Sequence, residues 1–418
     1  MVDFSLTDEQ LTLQRSVRDL ATREIAPITE QVERMDHASS APWDLVRPVF
    51  QKASRLGITH LLIPQEYGGG GGSCLDNALV QEEIGAVDVG IAAAYFNLAA
   101  TAPRVIVAGG TEAQKREWLG EICASEDFLV ASAGSEADQA GSDTFCPYPD
   151  PRVGLRTTSR RDGDDYLLNG TKAAFITSAG IASAYFVMAR NDLDKPGFMS
   201  TSFFYVPADT PGLSVGPRTQ LIGWKTAHNA EVVLDNVRVP KNRLLGEQEF
   251  LAPNVFGAAY PYIAVGFAAC HVGLARAATE YATKYARERI SWLQPIINHQ
   301  AVARLLADAL VETQVARLAV WDAACAADAG SASALMKVPI AKTYATDTAI
   351  KAAEAAVKVL GSNGITREYQ TARYLNDAWI GWACDGANDM LRLNMIAMQE
   401  MQHGMAPVGG PFQVAGAP

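Results

Sequence analysis

The sequence predicts a mostly α, α+β fold in three parts: an N-terminal all-helical domain, a middle β-barrel domain and a C-terminal four-helix bundle. Three observations predict it. Helical periodicity dominates up to about residue 122, short β-rich runs fill the stretch up to about 240, and long alanine-rich helical patterns follow Pro240. We therefore place the domains at residues 1–122, 123–240 and 241–418.

The N-terminal domain is predicted from helix-start signals. Residues 7–10 (Thr-Asp-Glu-Gln) have the spacing of a capping box and open a pattern with apolar residues on one side. Residues 111–114 (Thr-Glu-Ala-Gln) form a second such box. The glycine run at 68–72 follows no strand pattern and lacks a following Gly-Lys-Ser/Thr. It therefore predicts a surface loop rather than a phosphate-binding loop.

The middle and C-terminal domains are predicted from a change in periodicity. Five short runs of β-branched and aromatic residues, separated by turn residues, favour a small barrel or sandwich; they lie at 128–130, 166–168, 184–188, 203–206 and 232–234. Four long amphipathic patterns with short connections then predict a bundle, at roughly 253–289, 297–328, 332–360 and 366–402.

Composition and charge exclude several classes of protein. Of the 418 residues, 49% are hydrophobic and 19% are charged, which is typical of a folded globular protein and not of a disordered one. The formal net charge of -11, with no basic stripe, argues against a nucleic-acid partner, because phosphate binding needs a basic surface.

The cysteines, histidines and apolar runs predict neither a metal site nor a membrane protein. The six cysteines contain no Cys-x-x-Cys pair, and the six histidines show no metal-ligand spacing. The N-terminus lacks the apolar segment of a signal peptide, and no uninterrupted apolar run reaches the ~18 residues of a membrane span. We expect a cytoplasmic protein.

The most unusual local feature is an acid at a break in the last helical pattern. Asp385 has Trp382 and Cys384 on its apolar flank and is followed at once by Gly386. Taken alone, Asp-Gly is a common pair in turns and at helix ends. A carboxylate with an apolar flank is also a candidate base, because burial raises the proton affinity of a carboxylate.

Several motifs, in a fixed order, resemble the acyl-CoA dehydrogenase flavoprotein superfamily over nearly the full length of the chain. They are Ala140-Gly141-Ser142-Asp143, Gly170-Thr171-Lys172 with Phe175-Ile176-Thr177, Gly273-Leu274-Ala275-Arg276, Tyr285 with Arg287-Glu288-Arg289, and Thr366-Arg367-Glu368-Tyr369. The resemblance implies an FAD-dependent oxidoreductase with a small-molecule substrate. It also implies that the flavin lies between the β domain and the helical bundle.

The resemblance implies which residues bind the flavin ring. Ser135 matches the residue at the pyrimidine end of the ring, and Phe175 and Thr177 match the Trp and Thr that pack on the ring and hydrogen-bond it. Ser142 and Asn388, which lie in matched segments, complete the set of predicted contacts around the cofactor.

The resemblance also implies a cofactor site shared between subunits. Three residues match the motif that holds the pyrophosphate and adenine of the cofactor in the neighbouring subunit: Arg289, Ser291 and Trp292. An arginine suits two phosphates because its fork is always charged and can bond bidentately. Lys358 stands where the family usually has Gln. It precedes a turn in which, by the resemblance, Gly361 and Gly364 bring backbone amides to the pyrophosphate. Lys358 could equally compensate the dipole of its own helix. The family is homotetrameric, so we expect a homo-oligomer, a tetramer by the resemblance.

Asp385 matches the catalytic base of the superfamily. That base is commonly Glu, which removes the α-proton of an acyl thioester while a hydride leaves for the flavin. Aspartate is shorter by one methylene, about 1.5 Å. Arg392, seven residues later, matches an active-site arginine of the superfamily. We therefore predict Asp385 and Arg392 as the catalytic residues.

Two departures from the superfamily favour a carbon acid other than acyl-CoA. The base is Asp, and the Asp-x-x-Arg that contacts CoA in many relatives is replaced by Pro261-Tyr262-Ile263-Ala264. Both departures, and the Asp-Gly-x-Asn at 385–388, resemble the nitroalkane oxidases, which are a branch of the superfamily. This chain differs from those oxidases at one position, because the serine that they place near the flavin is Ile263 here. A nitroalkane α-carbon is much more acidic than that of a thioester, so a partly desolvated aspartate can serve as its base.

The leading prediction is therefore oxidation of nitroalkanes to aldehyde or ketone plus nitrite, with O2 reoxidising the flavin. The first alternative is an acyl-CoA or acyl-carrier dehydrogenase that uses Asp and passes electrons to an electron-transfer flavoprotein. The second alternative is a flavin-dependent hydroxylase, which would not need Asp385.

Overall fold

The N-terminal part of the chain is helical. The computed structural model describes residues 5–35, 42–137 and 150–402. Its first helices are α1 (Asp8–Leu20), α2 (Ala26–Glu33), α3 (Pro42–Arg55), α4 (Cys74–Val87), α5 (Val89–Phe96), α6 (Ala102–Gly109), α7 (Glu112–Gln114) and α8 (Gly120–Ala124). Short π-helical turns join α1 to α2, α5 to α6 and α7 to α8. The predicted helical N-terminal domain is confirmed.

Both predicted capping boxes are present. The Thr7 hydroxyl accepts a hydrogen bond from the backbone N–H of Gln10, and the Gln10 side chain accepts one from the backbone of Thr7, at 3.2 and 3.1 Å. Thr111 and Gln114 form the same pair of bonds. A third box at Ser73, which the sequence analysis did not predict, begins α4 directly after the glycine run.

The middle part of the chain forms a curled sheet. Its strands are β1 (Val130–Ala133), β2 (Thr158–Asp162), β3 (Asp165–Thr177), β4 (Ala184–Arg190), β5 (Thr201–Pro207), β6 (Leu213–Arg218) and β7 (Asn229–Pro240). The strands are hydrogen-bonded in the order β1-β4-β2-β3-β7-β6, and β5 also pairs with β4. Strands β1 and β4 run parallel, whereas β3 and β7 form a long antiparallel pair with two irregularities. The β-rich middle domain is confirmed.

The C-terminal part returns to long helices. They are α9 (Ala252–Glu288), α10 (Gln300–Asp328), α11 (Ala334–Leu360), α12 (Thr371–Ala383), α13 (Asn388–Leu391) and α14 (Met398–Gln402). A small hairpin of β8 (Ile290–Ser291) and β9 (Gln294–Pro295) connects α9 to α10. The helical C-terminal domain is confirmed, and the exact boundaries between the three domains stay a prediction.

The prediction of one continuous helix over 366–402 is wrong. The helix ends at Ala383 and begins again at Asn388. Cys384 is extended, with φ -86° and ψ 157°, and the next two residues have positive φ, 50° at Asp385 and 87° at Gly386. Two successive left-handed residues cannot continue a right-handed helix, so the chain turns at this point.

Helix α9 runs through the centre of the helical part and is buried along most of its length. A Cβ atom on Gly273 would lie 2.1 Å from the carbonyl oxygen of Glu82, so α4 and α9 cross at a glycine because no side chain fits there. At the same crossing, the buried Glu82 and Glu83 carboxylates bind the guanidinium groups of Arg276 and Arg317. These pairs join α4, α9 and α10.

Two helical stretches are long and apolar enough to cross a membrane, although the sequence contains no uninterrupted apolar run of that length. They are Val89–Gly109 and Ala252–Glu288. In each stretch most of the apolar window, 83% and 78% respectively, is buried inside the protein. Packing in the core accounts for their composition.

Candidate active site

Asp385 lies in the turn between α12 and α13. Its φ of 50° places the residue in the left-handed region, which a non-glycine residue adopts at a cost of roughly 1 kcal/mol or more. The side chain is partly buried. The predicted base therefore occupies a turn whose conformation must be held by surrounding contacts.

A buried lysine that the sequence analysis did not identify holds this turn. Lys342, in α11, is fully buried, and its Nζ donates to the carbonyl oxygens of Gly381 and Gly386 at 3.3 and 2.7 Å. A third bond, of 2.9 Å, runs to Oδ1 of Asn388. The three acceptors lie before and after Asp385, so one ammonium group connects both ends of the helix break.

A signal for Lys342 was present in the sequence. It stands four residues after Val338 and three before Ala345, on the buried stripe of α11. A lysine on such a stripe needs partners for three donors, because an unpaired buried charge is very costly.

Asn388 is placed beside the base, and its side chain is fully occupied by the protein. Its Nδ2 donates to Thr346 Oγ1 and to Asp347 Oδ1 at 2.9 and 2.7 Å, and its Oδ1 accepts from Lys342. These bonds indicate that Asn388 holds the turn, rather than contacting the cofactor as predicted. Asp347 also binds the guanidinium of Arg392, which links the second predicted catalytic residue to the same cluster.

The surroundings make Asp385 more basic than an ordinary aspartate. Burial raises the pKa of Asp385 to about 6, and the positive charge of Lys342 acts in the opposite direction. Tyr260 and Cys270 of α9 and the neighbouring Cys384 also interact electrostatically with the carboxylate. Burial raises the pKa of each of these three groups, so they stay neutral near pH 7 and leave Lys342 as the charge that opposes protonation.

An aromatic wall lies next to Lys342. The ammonium is 5.6 Å from the ring of Phe267, which stacks edge-on with Phe96 and Trp224. His271, one turn further along α9, is fully buried; its Nδ1 contacts the carbonyl oxygen of Phe267 at 2.9 Å, and burial lowers its pKa to about 4. The ring is therefore neutral at pH 7 and is part of the packed core.

Three of the residues predicted to contact the flavin ring lie at neighbouring ends of strands. Ser135 follows β1, and its carbonyl oxygen accepts from the backbone N–H of Ala173 in β3. Phe175 is 51% exposed, which is unusual for a phenylalanine in a strand. Asn229 Nδ2 donates to the carbonyl oxygen of Phe175 and to Thr177 Oγ1, at 3.0 and 3.1 Å. Ser142, which is also predicted to contact the cofactor, lies outside the described residues.

The residues predicted to reach the neighbouring subunit lie on the β8–β9 hairpin. Arg289 ends α9 and is exposed, as is Ser291 in β8. Trp292 is 86% exposed at the hairpin tip and packs edge-on against His299. The guanidinium of Arg289 forms no ion pair with any residue in the described parts of the chain.

The predicted pyrophosphate turn lies beside the start of this hairpin. Asn363 Nδ2 donates to the hydroxyl of Tyr285 at 2.8 Å, which brings the 361–364 turn to the last turn of α9. Gly361 has φ 61° and ψ -130°, a conformation that favours glycine. Lys358 is exposed and pairs with Glu354 at 3.7 Å, one turn away on α11.

The residues present fit FAD. A flavin needs an apolar surface for its ring system, polar groups at the ring edge and cationic or amide donors for the pyrophosphate. Phe175 offers an exposed ring, and the buried Ser178 hydroxyl, three residues on, has no partner among the described residues. Arg289 offers an unpaired cation. The described residues contain no group of three metal-ligating side chains.

Comparison with known proteins agrees with the three-part fold. The N-terminal, middle and C-terminal domain models of the acyl-CoA dehydrogenases match residues 7–126, 131–237 and 262–401. The chain is 33% identical over 390 residues to an acyl-CoA dehydrogenase of Bacillus subtilis, covering 93% of this chain and 97% of that protein. It is 32% identical over 403 residues to a probable acyl-CoA dehydrogenase of the same species, covering 95% and 99%. The butyryl-CoA dehydrogenase of Megasphaera elsdenii superposes with a TM-score of 0.86 at 29% identity, covering 96% and 100%.

Proposed function

This chain belongs to the acyl-CoA dehydrogenase family of FAD-dependent oxidoreductases, and we propose that its Asp385 removes the α-proton of an acyl thioester. The observation that carries the proposal is the setting of Asp385: a partly buried carboxylate in a turn that a buried ammonium holds from both sides. Two relatives that match over more than nine tenths of this chain are named as an acyl-CoA dehydrogenase and a probable acyl-CoA dehydrogenase, which supports a thioester substrate.

The residues of this chain divide the work at the reacting carbon. The Asp385 carboxylate accepts the α-proton, and partial burial favours that transfer because the protonated form loses less hydration. Lys342 and Asn388 hold the turn, and Arg392 is held by Asp347. When bound, FAD supplies the hydride acceptor. Exposed Phe175 and the Thr177 hydroxyl would hold the ring, and Arg289 the pyrophosphate.

A second candidate function is the oxidation of nitroalkanes with release of nitrite. Two specific observations favour it: the base is Asp rather than Glu, and Ala264 stands where many relatives have an arginine that contacts CoA. A pKa of about 6 suits a base for a carbon acid that is more acidic than a thioester.

The experiment that tests both functions is anaerobic titration of the bound flavin with butyryl-CoA and with nitroethane. Bleaching by butyryl-CoA, with no nitrite released from nitroethane, supports the thioester function, and nitrite release from nitroethane supports the second candidate. Asp385→Asn should lower the rate of either reaction by at least about 100-fold, because a general base contributes about that much. Asp19→Asn, an exposed acid on α1, is the control. A fully active Asp385→Asn enzyme would contradict both and favour the flavin-dependent hydroxylase.

We also propose that the protein forms a homo-oligomer. Helix α10 exposes four large apolar side chains, Leu310, Val311, Val315 and Leu318. Beside them, a groove of about 730 Å³ lies between α9 and α10 and is lined by Arg287, Ile297 and Leu306 among others. An apolar face of this kind, together with the exposed Trp292 at the hairpin tip, supports contact with a second copy. A tetramer and a cytoplasmic location stay predictions.

A further inference from the structure

Lys342 is an unusual group for the centre of a helical bundle. Its side chain is fully buried, yet all three of its hydrogen-bond acceptors are neutral oxygens, two carbonyls and one amide. Among the described residues no carboxylate forms an ion pair with it. A buried lysine that only stabilised the fold would be expected to contact a carboxylate, as Lys172 contacts Glu136 at 2.8 Å in the sheet.

The contacts of Lys342 are concentrated on the turn that carries Asp385. They reach Gly381 in the last turn of α12, Gly386 directly after the acid, and Asn388 at the start of α13. The turn between them contains the strained φ of 50° at Asp385. Strain of this kind persists only where surrounding contacts over-determine it, and here the ammonium supplies those contacts.

The charge of Lys342 faces Asp385 without neutralising it. The other titratable groups that interact with the carboxylate are Tyr260 and Cys270 from α9 and Cys384 from its own turn. Asp347 and Arg392 act on the ammonium from the side of α11 and α13. Asp347 and Arg392 are paired with each other, so Lys342 is the unpaired positive charge beside the base.

We propose that Lys342 is the positioning residue of the base: its ammonium holds the Asp385 turn in its left-handed conformation and supplies the positive charge that keeps the carboxylate ionised. This inference rests on the proposed function, in which Asp385 accepts the α-proton. Lys342 acts through Asp385, and its three donors are occupied by the protein, so it need not touch the substrate.

Lys342→Gln in the FAD-loaded enzyme tests the proposal. It removes the charge but keeps a donor for the turn. The acidic limb of the kcat/KM profile, measured with whichever of butyryl-CoA and nitroethane reduces the flavin, should move to higher pH by at least about one unit, a tenfold change in proton affinity. Lys351→Gln, which removes the same charge from an exposed position on α11, should leave the limb in place. An unshifted limb in a folded, flavin-loaded Lys342→Gln enzyme overturns the proposal.

A second readout does not depend on activity. Asp385→Asn should raise the unfolding midpoint at pH 7 more in the Lys342→Gln background than in the wild-type chain, because the buried carboxylate then lacks its compensating charge; pH 7 is chosen because burial lowers the pKa of Lys342 to about 8. Equal increases in the two backgrounds overturn the proposal. This result stays informative even if Asp385→Asn keeps full activity and the proposed function fails.

Lys342→Met serves if Lys342→Gln does not fold. Methionine fills much of the volume of the lysine stem without burying a polar amide, and it removes the charge of the ammonium. The acidic limb should again move to higher pH, and an unchanged limb would contradict the assignment.

Discussion

At the scale of the residue, the properties of Asp385 come from opposing influences on one carboxylate. Partial burial favours its protonated form, whereas the Lys342 ammonium favours the ionised form, and burial is the larger influence because the pKa rises to about 6. The carboxylate is therefore ionised at neutral pH and is still a stronger base than a solvated aspartate.

The pH dependence of activity follows from this balance. A base must be deprotonated to accept a proton, so kcat/KM should fall as the pH drops below about 6 and should change little between pH 7 and 8. The measurement is the pH profile of kcat/KM with a substrate for which proton removal limits the rate. A limb at about pH 4, where an exposed aspartate titrates, would contradict the raised pKa.

The same carboxylate should lower stability. Its pKa is higher in the folded than in the unfolded chain, so the folded state binds the proton more tightly, and the cost of ionisation is present above pH 6 and disappears as the pH falls toward 4. Asp385→Asn should raise the free energy of unfolding by roughly 1 to 3 kcal/mol at pH 8. Urea titration at pH 8 checks this value, and a gain that is equally large at pH 4 would contradict the explanation.

At the scale of the element, the break between α12 and α13 depends on close packing against α9. Gly381, in the last turn of α12, lies against the ring of His271, and a Cβ there would be 1.9 Å from its Nε2. Helix α12 thus approaches α9 closely enough for the end of α12 to present its carbonyl oxygen to Lys342.

Gly381→Ala should therefore destabilise the protein although alanine favours helix formation. The added methyl group overlaps a buried imidazole, and overpacking of this kind costs about 1 to 3 kcal/mol. Gly257→Ala is the matched control in α9, because a Cβ there meets no atom within 4 Å and should be neutral or stabilising. Thermal unfolding should give a lower midpoint for Gly381→Ala than for Gly257→Ala. Equal midpoints would show that the His271 ring moves aside without cost.

At the scale of the whole molecule, the exposed face of α10 and the hairpin tip are where we propose that copies of the chain meet. Val311 and Val315 lie one turn apart on this face, and Leu318 follows. Such a face is costly in water and is stabilised when a second apolar face covers it.

Charged residues on this face should weaken assembly. Val311→Lys combined with Val315→Lys should shift the protein to a smaller species in sedimentation or light scattering and reduce FAD retention, since Arg289 is proposed to act across subunits. Leu56→Lys, at an apolar position of similar exposure in the N-terminal domain, should change neither property. Unchanged mass for the double variant would place the interface elsewhere.

The sequence by itself determined the order of helical, β-rich and helical parts, because those depend on local periodicity and capping residues such as Thr7 and Thr111. Motif register was also enough to predict Asp385 as the base and the FAD-dependent family. The local pattern indicated a break at Asp385 and Gly386 but not its geometry, because the positive φ of Asp385 is stabilised by a lysine 43 positions earlier in the chain.

Only the tertiary structure decided what surrounds the base. The three bonds of Lys342 join α11 to residues 381, 386 and 388, and the ring of His271 meets Gly381 across a helix interface. Such contacts join residues far apart in the sequence, and the charge and burial that they create set the pKa of Asp385. The chemical identity of the proposed base is therefore a property of the sequence, whereas its basicity is a property of the packed fold.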